Sequence, residues 1–103
     1  MEIQVEKKAD QVHILPKGNM VGENSRQVEQ AVMPLVTEPG HRVLLDLSQV
    51  NRIDSNGLGI LVNLTCRSNS SKGKLVYARP TMFVDEVIRV TQLNKFLVFA
   101  DEL

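Results

Sequence analysis

Residues 43–63 read VLLDLSQVNRIDSNGLGILVN, and the order of residue types in this stretch decides the fold. An apolar run, Val43-Leu44-Leu45, comes first and is followed by Asp46-Leu47-Ser48. A second short signal covers residues 50–53; Asp54-Ser55-Asn56-Gly57 comes next, and an apolar segment, residues 58–64, follows directly. That succession reads as strand, sharp turn, helix. The turn carries one hydroxyl, Ser55, where the first backbone N–H groups of a helix point outward. An anion at that spot is stabilised by those orphan donors and by the helix dipole.

Outward from this stretch the chain alternates strand and helix signals. Residues 2–6 set Ile3 and Val5 against Glu2, Gln4 and Glu6, a half-exposed strand. After the polar turn 7–10, residues 11–15 alternate again with Val12 and Ile14 on one face, and the short connection predicts an antiparallel hairpin. Pro16-Lys17-Gly18-Asn19 is expected to stop the second strand, and residues 20–23 to form a loop. Asn24 or Ser25 is placed to cap a first helix whose apolar stripe is Val28, Ala31, Val32 and Leu35. Pro34 is expected to kink or end it, and residues 37–40 turn at Pro39-Gly40. The third strand, residues 41–47, is too continuously apolar to have one face in water.

The second helix runs from Gly57 to about Asn69 and ends at Ser70-Ser71-Lys72-Gly73. A fourth strand covers residues 74–78. Pro80-Thr81 opens a third helix that buries Phe83, Val84, Val87 and Ile88, with Thr91 at the end of that face. Residues 96–100 read as a last strand, and 101–103 as a tail. The order is β-β-α-β-α-β-α-β, which predicts parallel neighbours and right-handed crossovers after the hairpin.

Composition narrows the function. A chain of 103 residues fits one domain spanning 1–103. Twelve basic residues balance twelve acidic ones without a Lys or Arg stripe, so no direct nucleic-acid contact is expected. The single cysteine, Cys66, cannot form an intrachain disulfide; it suits a reducing cytosol and reads as a buried, inert thiol. No secretion signal and no membrane span are legible, so the expected location is the cytoplasm.

Catalytic and metal readings are weak. His13 and His41 each lie among apolar strand residues without a second ligand at metal spacing, and solvent-edge strand histidines are the simpler reading. The hydrolase elbow G-x-S-x-G lacks its first glycine at Ile53, and no histidine is placed as base for Ser55. Gly57-Leu58-Gly59 lacks the third glycine of a dinucleotide loop and the Gly-Lys-Ser/Thr of a triphosphate loop; its glycines suit an unusual turn and a close backbone approach. Neither an enzyme nor a cofactor is expected.

Ser55 has two readings. It is a plain N-cap, a role for which Asp54 competes, or it is a phosphorylation site on an exposed turn. A phosphate there is tolerated by its own helix and repelled by Asp54 and by an acidic partner surface, which favours a switch acting at an interface. Leu58, Leu61, Val62 and Thr65 make one stripe of the following helix, and Ile60 and Leu64 extend its apolar surface. That surface is either a docking patch beside the hydroxyl or a central, buried helix.

Leu44-Leu45-Asp46-Leu47-Ser48 followed by Ile53-Asp54-Ser55-Asn56-Gly57-Leu58-Gly59 resembles the signature of STAS domains. Within that family the chain is most similar to bacterial anti-sigma factor antagonists. The resemblance extends through Gly73-Lys74-Leu75-Val76 and through residues 80–93, including Thr91-Gln92-Leu93. It implies a STAS fold: an α/β, four- to five-stranded mixed sheet with an N-terminal β-hairpin and three helices packed mainly on one face. It also implies partner switching. The unphosphorylated antagonist binds an anti-sigma factor, a serine kinase of the histidine-kinase-like ATPase fold, and so frees a sigma factor. Phosphorylation at the serine after Asp, here Ser55, ends the complex, and a PP2C-type phosphatase restores it. The partner-binding residues so implied are Met20, Val21, Asp54, Ser55, Asn56, Gly57, Leu58, Ile60, Leu61 and Leu64. A small neutral domain is expected to be monomeric when free. Two positions depart from the family pattern. Val21 stands where the family has an Asp after Gly-x-Leu, and Gln92 stands where it has a Gly. The alternative is a STAS interaction subunit of a signalling or transport complex without a phosphorylation cycle.

Overall fold

A computed structural model describes residues 1–38, 42–71 and 73–100. Its elements are β1 (Glu2–Lys7), β2 (Gln11–Met20), α1 (Glu23–Val36), β3 (Arg42–Asp46), β4 (Val50–Ile53), α2 (Ser55–Ser70), β5 (Lys74–Ala78) and α3 (Met82–Val90), followed by one 3₁₀ turn (Leu93–Lys95). The five strands form one mixed sheet in the order β1-β2-β3-β5, with β4 paired to β2. The expected N-terminal hairpin is present: β1 and β2 are antiparallel from Glu2↔Lys17 to Lys7↔Val12. The β2–β3 and β3–β5 pairs are parallel, as alternating strands and helices require.

Alternation sorts the strands into two faces. Val12 and Ile14 of β2, Val43 and Leu45 of β3, and Leu75 and Tyr77 of β5 join the core. Val28, Val32 and Val36 of α1, Leu61 and Leu64 of α2, and Val84 and Ile88 of α3 join the same cluster, so all three helices pack on that face. Tyr77 ties α2 to the sheet: its hydroxyl donates to the Leu61 carbonyl at 2.9 Å and lies 2.8 Å from Thr65 Oγ1. Burial pushes that phenol well above its ordinary pKa.

Four expectations are corrected. First, β2 does not stop at Pro16. It continues to Met20 by changing partner, from β3 (last pair Ile14↔Leu45) to β4 (first pair Gly18↔Val50). Pro16 falls between these two registers, where its missing N–H breaks no ladder bond. Second, residues 50–53 are a strand of their own, β4, so the order after α1 is β-β-α. Third, residues 96–100 make only one parallel bridge, Tyr77↔Phe99, after the 3₁₀ turn. Fourth, neither Asn24 nor Ser25 caps α1. The N-cap is Gly22, Asn24 instead donates to the Asn19 carbonyl at 3.3 Å, and Ser25 is buried.

Helix α1 runs two residues past Pro34 and stops at Val36. Helix α2 begins at Ser55, two residues before the expected start. Thr81 is the N-cap of α3, with Oγ1 accepting from Val84 N, so Pro80 precedes the helix and does not stand in its first turn. The Pro39-Gly40 turn, His41, Lys72 and the tail 101–103 lie outside the described residues.

Gly57 explains how α2 can start against the sheet. A Cβ at this position would lie 2.5 Å from the Met20 carbonyl oxygen and 2.6 Å from Ile53 Cγ1. Only a hydrogen fits there. Gly59, one residue further along, has nothing within 4 Å. Gly57→Ala is therefore expected to lower the unfolding free energy by about 1–3 kcal/mol through overpacking. Gly59→Ala should raise it by up to about 1 kcal/mol through helix propensity. Urea unfolding of the two variants beside the parent chain checks this difference in sign.

Candidate functional site

The site is the junction at which β2 and β4 deliver the chain to α1 and α2. Met20 and Ile53 are the last pair of the β2–β4 ladder, and the Asp54 N–H donates to the Met20 carbonyl at 3.3 Å. Asp54 is extended (φ −115°, ψ −172°) and caps α2. Its carboxylate has two tasks. Oδ1 accepts the Gly57 N–H at 3.0 Å, the usual service of an N-cap aspartate. Oδ2 accepts the Gly22 N–H, also at 3.0 Å, from the loop between β2 and α1. Gly22 has a left-handed φ of 51°, which suits glycine and lets its N–H turn toward α2. Those backbone donors at Gly57 and Gly22, in that order, hold the Asp54 carboxyl below its ordinary pKa.

Ser55 is the first residue of α2 and is exposed, as is Asn56. Asp54 thus takes the cap, and the Ser55 hydroxyl stands on a turn that another residue has locked. Val21, half-buried, is carried by the same loop as Gly22. A shallow groove of about 250 Å³ runs beside the turn, lined by Gly22, Glu23, Ser25, Arg26, Asn56 and Ile60.

The other expected partner-binding residues divide by burial. Leu58 and Ile60 are half-buried against the core and keep some surface. Met20, Leu61 and Leu64 are fully buried, so their side chains are core and offer no docking surface; for the two leucines the correction follows from α2 packing against both α1 and the sheet. Gly57 is buried and serves by its backbone. Thr65 and Ser68 extend the buried stripe of α2, whereas Cys66 points outward and is exposed, against the expectation of a buried thiol.

Exposed apolar side chains lie mainly elsewhere, at Met82, Phe83 and Val90 of α3 and at Phe96. Phe83, expected in the core, is 40% exposed, with the Arg52 guanidinium of β4 at 5.3 Å from its ring centroid. Thr91 is exposed as well. The helical period of residues 82–90 predicted the stripe but not which of its edges would stay wet.

A second polar cluster sits on the helix-free face of the sheet. Asp46 is fully buried at the end of β3; its Oδ1 accepts the Ser48 N–H at 2.9 Å, and its Oδ2 meets His13 Nε2 at 3.0 Å and the Arg79 guanidinium. His13 is therefore not an edge residue, because β2 has partners on both sides. Burial alone would raise the Asp46 carboxyl; the Ser48, Arg79 and His13 hydrogen bonds outweigh it and lower it. Nothing in the spacing of positions 13, 46 and 79 announced this cluster. Among the described residues, no group of three or more His, Cys, Asp or Glu could hold a metal, and no helix is long and apolar enough to cross a membrane.

Residues 3–99 match the family model described as "Mlab, STAS domain". A protein of Thermotoga maritima named as a candidate anti-sigma factor antagonist is 28% identical over 95 residues, covering 91% of this chain and 84% of that one. A crystal structure of a candidate anti-sigma factor antagonist from T. maritima superposes with a TM-score of 0.83 at 26% identity, over 98% of this chain and 87% of that one. The Bacillus protein SpoIIAA, itself an anti-sigma factor antagonist, shares the fold at 16% identity. Its unphosphorylated form gives a TM-score of 0.77 over 98% of this chain and 90% of its own. Its phosphorylated form gives 0.71 over 98% and 93%.

Both lowered carboxyls fix the sign of the acid response. A carboxyl whose folded pKa is depressed contributes stability above its unfolded value of about 3.9 and loses it as the pH falls through the folded one. The unfolding midpoint in urea is expected to be flat near neutrality and to fall below about pH 5. Asp46→Asn and Asp54→Asn should each lower the neutral midpoint and make the acid decline shallower, which urea melts at a series of pH values will show.

Proposed function

The chain belongs to the STAS domain family, and on that premise we propose that it is an anti-sigma factor antagonist of a partner-switching system, with Ser55 as the phosphorylated residue. The observation that carries this reading is the division of labour between neighbours. Asp54 takes the cap, and Ser55 is left exposed on a turn tied to the sheet. A kinase needs a hydroxyl it can reach in a fixed place, and this turn offers one.

In the unphosphorylated state the chain binds an anti-sigma factor that is also a serine kinase, and the sigma factor is freed. The contact surface centres on Val21, Asp54, Ser55, Asn56, Leu58 and Ile60, all with some exposure. The kinase transfers the γ-phosphoryl group of ATP. The Ser55 Oγ–P bond forms, the bond to the leaving ADP breaks, and the hydroxyl proton departs. The product carries about −1.5 to −2 charges and three acceptor oxygens beside Asp54. A surface that fitted a neutral hydroxyl then faces a dianion, and the complex separates. A PP2C-type phosphatase hydrolyses the ester and restores the binding form. In this cycle the chain is ligand and substrate, with no chemistry of its own. The T. maritima relative and the solved phosphorylated form of SpoIIAA support the reading.

Val21 favours a second reading. An apolar, half-buried residue beside the turn suits a STAS subunit that docks in a signalling or transport complex without any phosphorylation. One experiment separates the two. Incubated with ATP and a cognate anti-sigma kinase, the protein should gain the mass of one phosphoryl group in an intact-mass spectrum, and Ser55→Ala should gain none. No gain in the parent chain, or a gain that survives Ser55→Ala, would sink the first reading.

A further inference from the structure

We propose that Asp54 is the positioning residue of this switch, and that a phosphate on Ser55 displaces its carboxylate and releases the β2–α1 loop. The inference rests on the phosphorylation reading of Ser55 and adds what the modification does inside the molecule. Asp54 Oδ2 accepts the Gly22 N–H from the β2–α1 loop, and Oδ1 accepts the Gly57 N–H from the first turn of α2. One side chain thus spans two segments 35 residues apart by the numbers 22 and 57.

The phosphate and the carboxylate compete for the same donors. Ser55 is the first residue of α2, so a phosphoryl group on its Oγ lies over the first-turn N–H groups that have no intrahelical acceptor, among them the Gly57 N–H that Asp54 now holds. It brings more charge than the carboxylate and three oxygens. Two anions on adjacent residues at one helix start repel each other. The phosphate is the stronger ligand of the helix N–H groups, and Asp54 can turn away toward water because its side chain is only half-buried. Turning away removes the acceptor of the Gly22 N–H.

The loop is built to respond. Gly22 is exposed and has a left-handed φ of 51°, a conformation that glycine can leave as readily as it holds. Its neighbour Val21 is half-buried, and Glu23, Ser25 and Arg26 line the groove that Gly22 shares with Asn56 and Ile60. Losing the Gly22 bond therefore alters the wall of a groove that borders Ser55. The ladder pair Met20↔Ile53 and the Asn24 N–H to Val21 carbonyl bond do not involve the carboxylate and stay. The change is confined to the loop, and the core is untouched.

The test uses the full chain with phosphoserine installed at Ser55 during translation, so that its outcome does not depend on any kinase. Amide hydrogen exchange and ¹⁵N–¹H spectra are recorded for the unmodified chain, the phosphorylated chain and Asp54→Asn. The amide side chain retains one acceptor oxygen and cannot serve both donors. In the phosphorylated chain, exchange at Gly22 should speed up by about tenfold or more while amides of β2 and β3 keep their protection. The Gly22 resonance should move in the same direction in Asp54→Asn. An unchanged Gly22 exchange rate and shift in the phosphorylated chain would overturn the proposal, whether or not Asp54→Asn folds. Failure here leaves the phosphorylation reading standing, because that reading is decided by the mass gain at Ser55.

Discussion

The Asp54 carboxylate, with Gly57 N–H at 3.0 Å on one oxygen and Gly22 N–H at 3.0 Å on the other, is the contact on which the functional face depends. It starts α2, and it fixes the loop that starts α1. Both helix N-termini thereby lie at one end of the sheet, where β2 and β4 finish side by side at Met20↔Ile53. Gly57 is required by the same closeness, since a Cβ would strike the Met20 carbonyl oxygen. The motif Asp-Ser-x-Gly is thus a geometric device. Asp supplies the clamp, Gly supplies the space, and the residue between them that needs no structural role is Ser55.

Such a site can change charge without changing fold. A phosphate that displaces the Asp54 carboxylate takes over the N–H groups of the first turn, and α2 is held along its length by Leu61 and Leu64 in the core and by the Tyr77 hydroxyl on the Leu61 carbonyl. The burial of those leucines also moves the docking surface. Under the proposed function it is drawn from the loop at Val21 and from the exposed side of the first two turns of α2, with no contribution from the interior face of the helix.

The parts legible in the sequence are those set by local chemistry. The hairpin alternation, the apolar run of β3, the Asp-Ser-Asn-Gly turn and the stripe Val28–Val32 all report short-range periodicity, and the structure contains each of them. Long-range pairing was not legible. β4 has four residues with a buried-exposed-exposed-buried pattern, which lacks the alternation that marks a strand. β2 passes through Pro16 because it exchanges one parallel partner for another at that point. The exposure of Phe83 and Cys66 depends on which edge of a helix meets a neighbour, and the His13–Asp46–Arg79 cluster joins residues from three separate segments. At the site itself, Ser55 and Asp54 could be read from the motif, whereas Gly22 could not, since its link to Asp54 spans a helix and two strands.

The central claim is that Ser55 controls binding from a turn whose integrity lies with other residues. Its most direct test is a calorimetric titration of the anti-sigma kinase with the chain before and after phosphorylation at Ser55, together with thermal melts of both forms. The account predicts that phosphorylation weakens binding by at least about tenfold, a loss of about 1.4 kcal/mol or more, while the melting midpoint stays nearly constant. Equal affinity for the two forms, or a melting midpoint that collapses on phosphorylation, would contradict it.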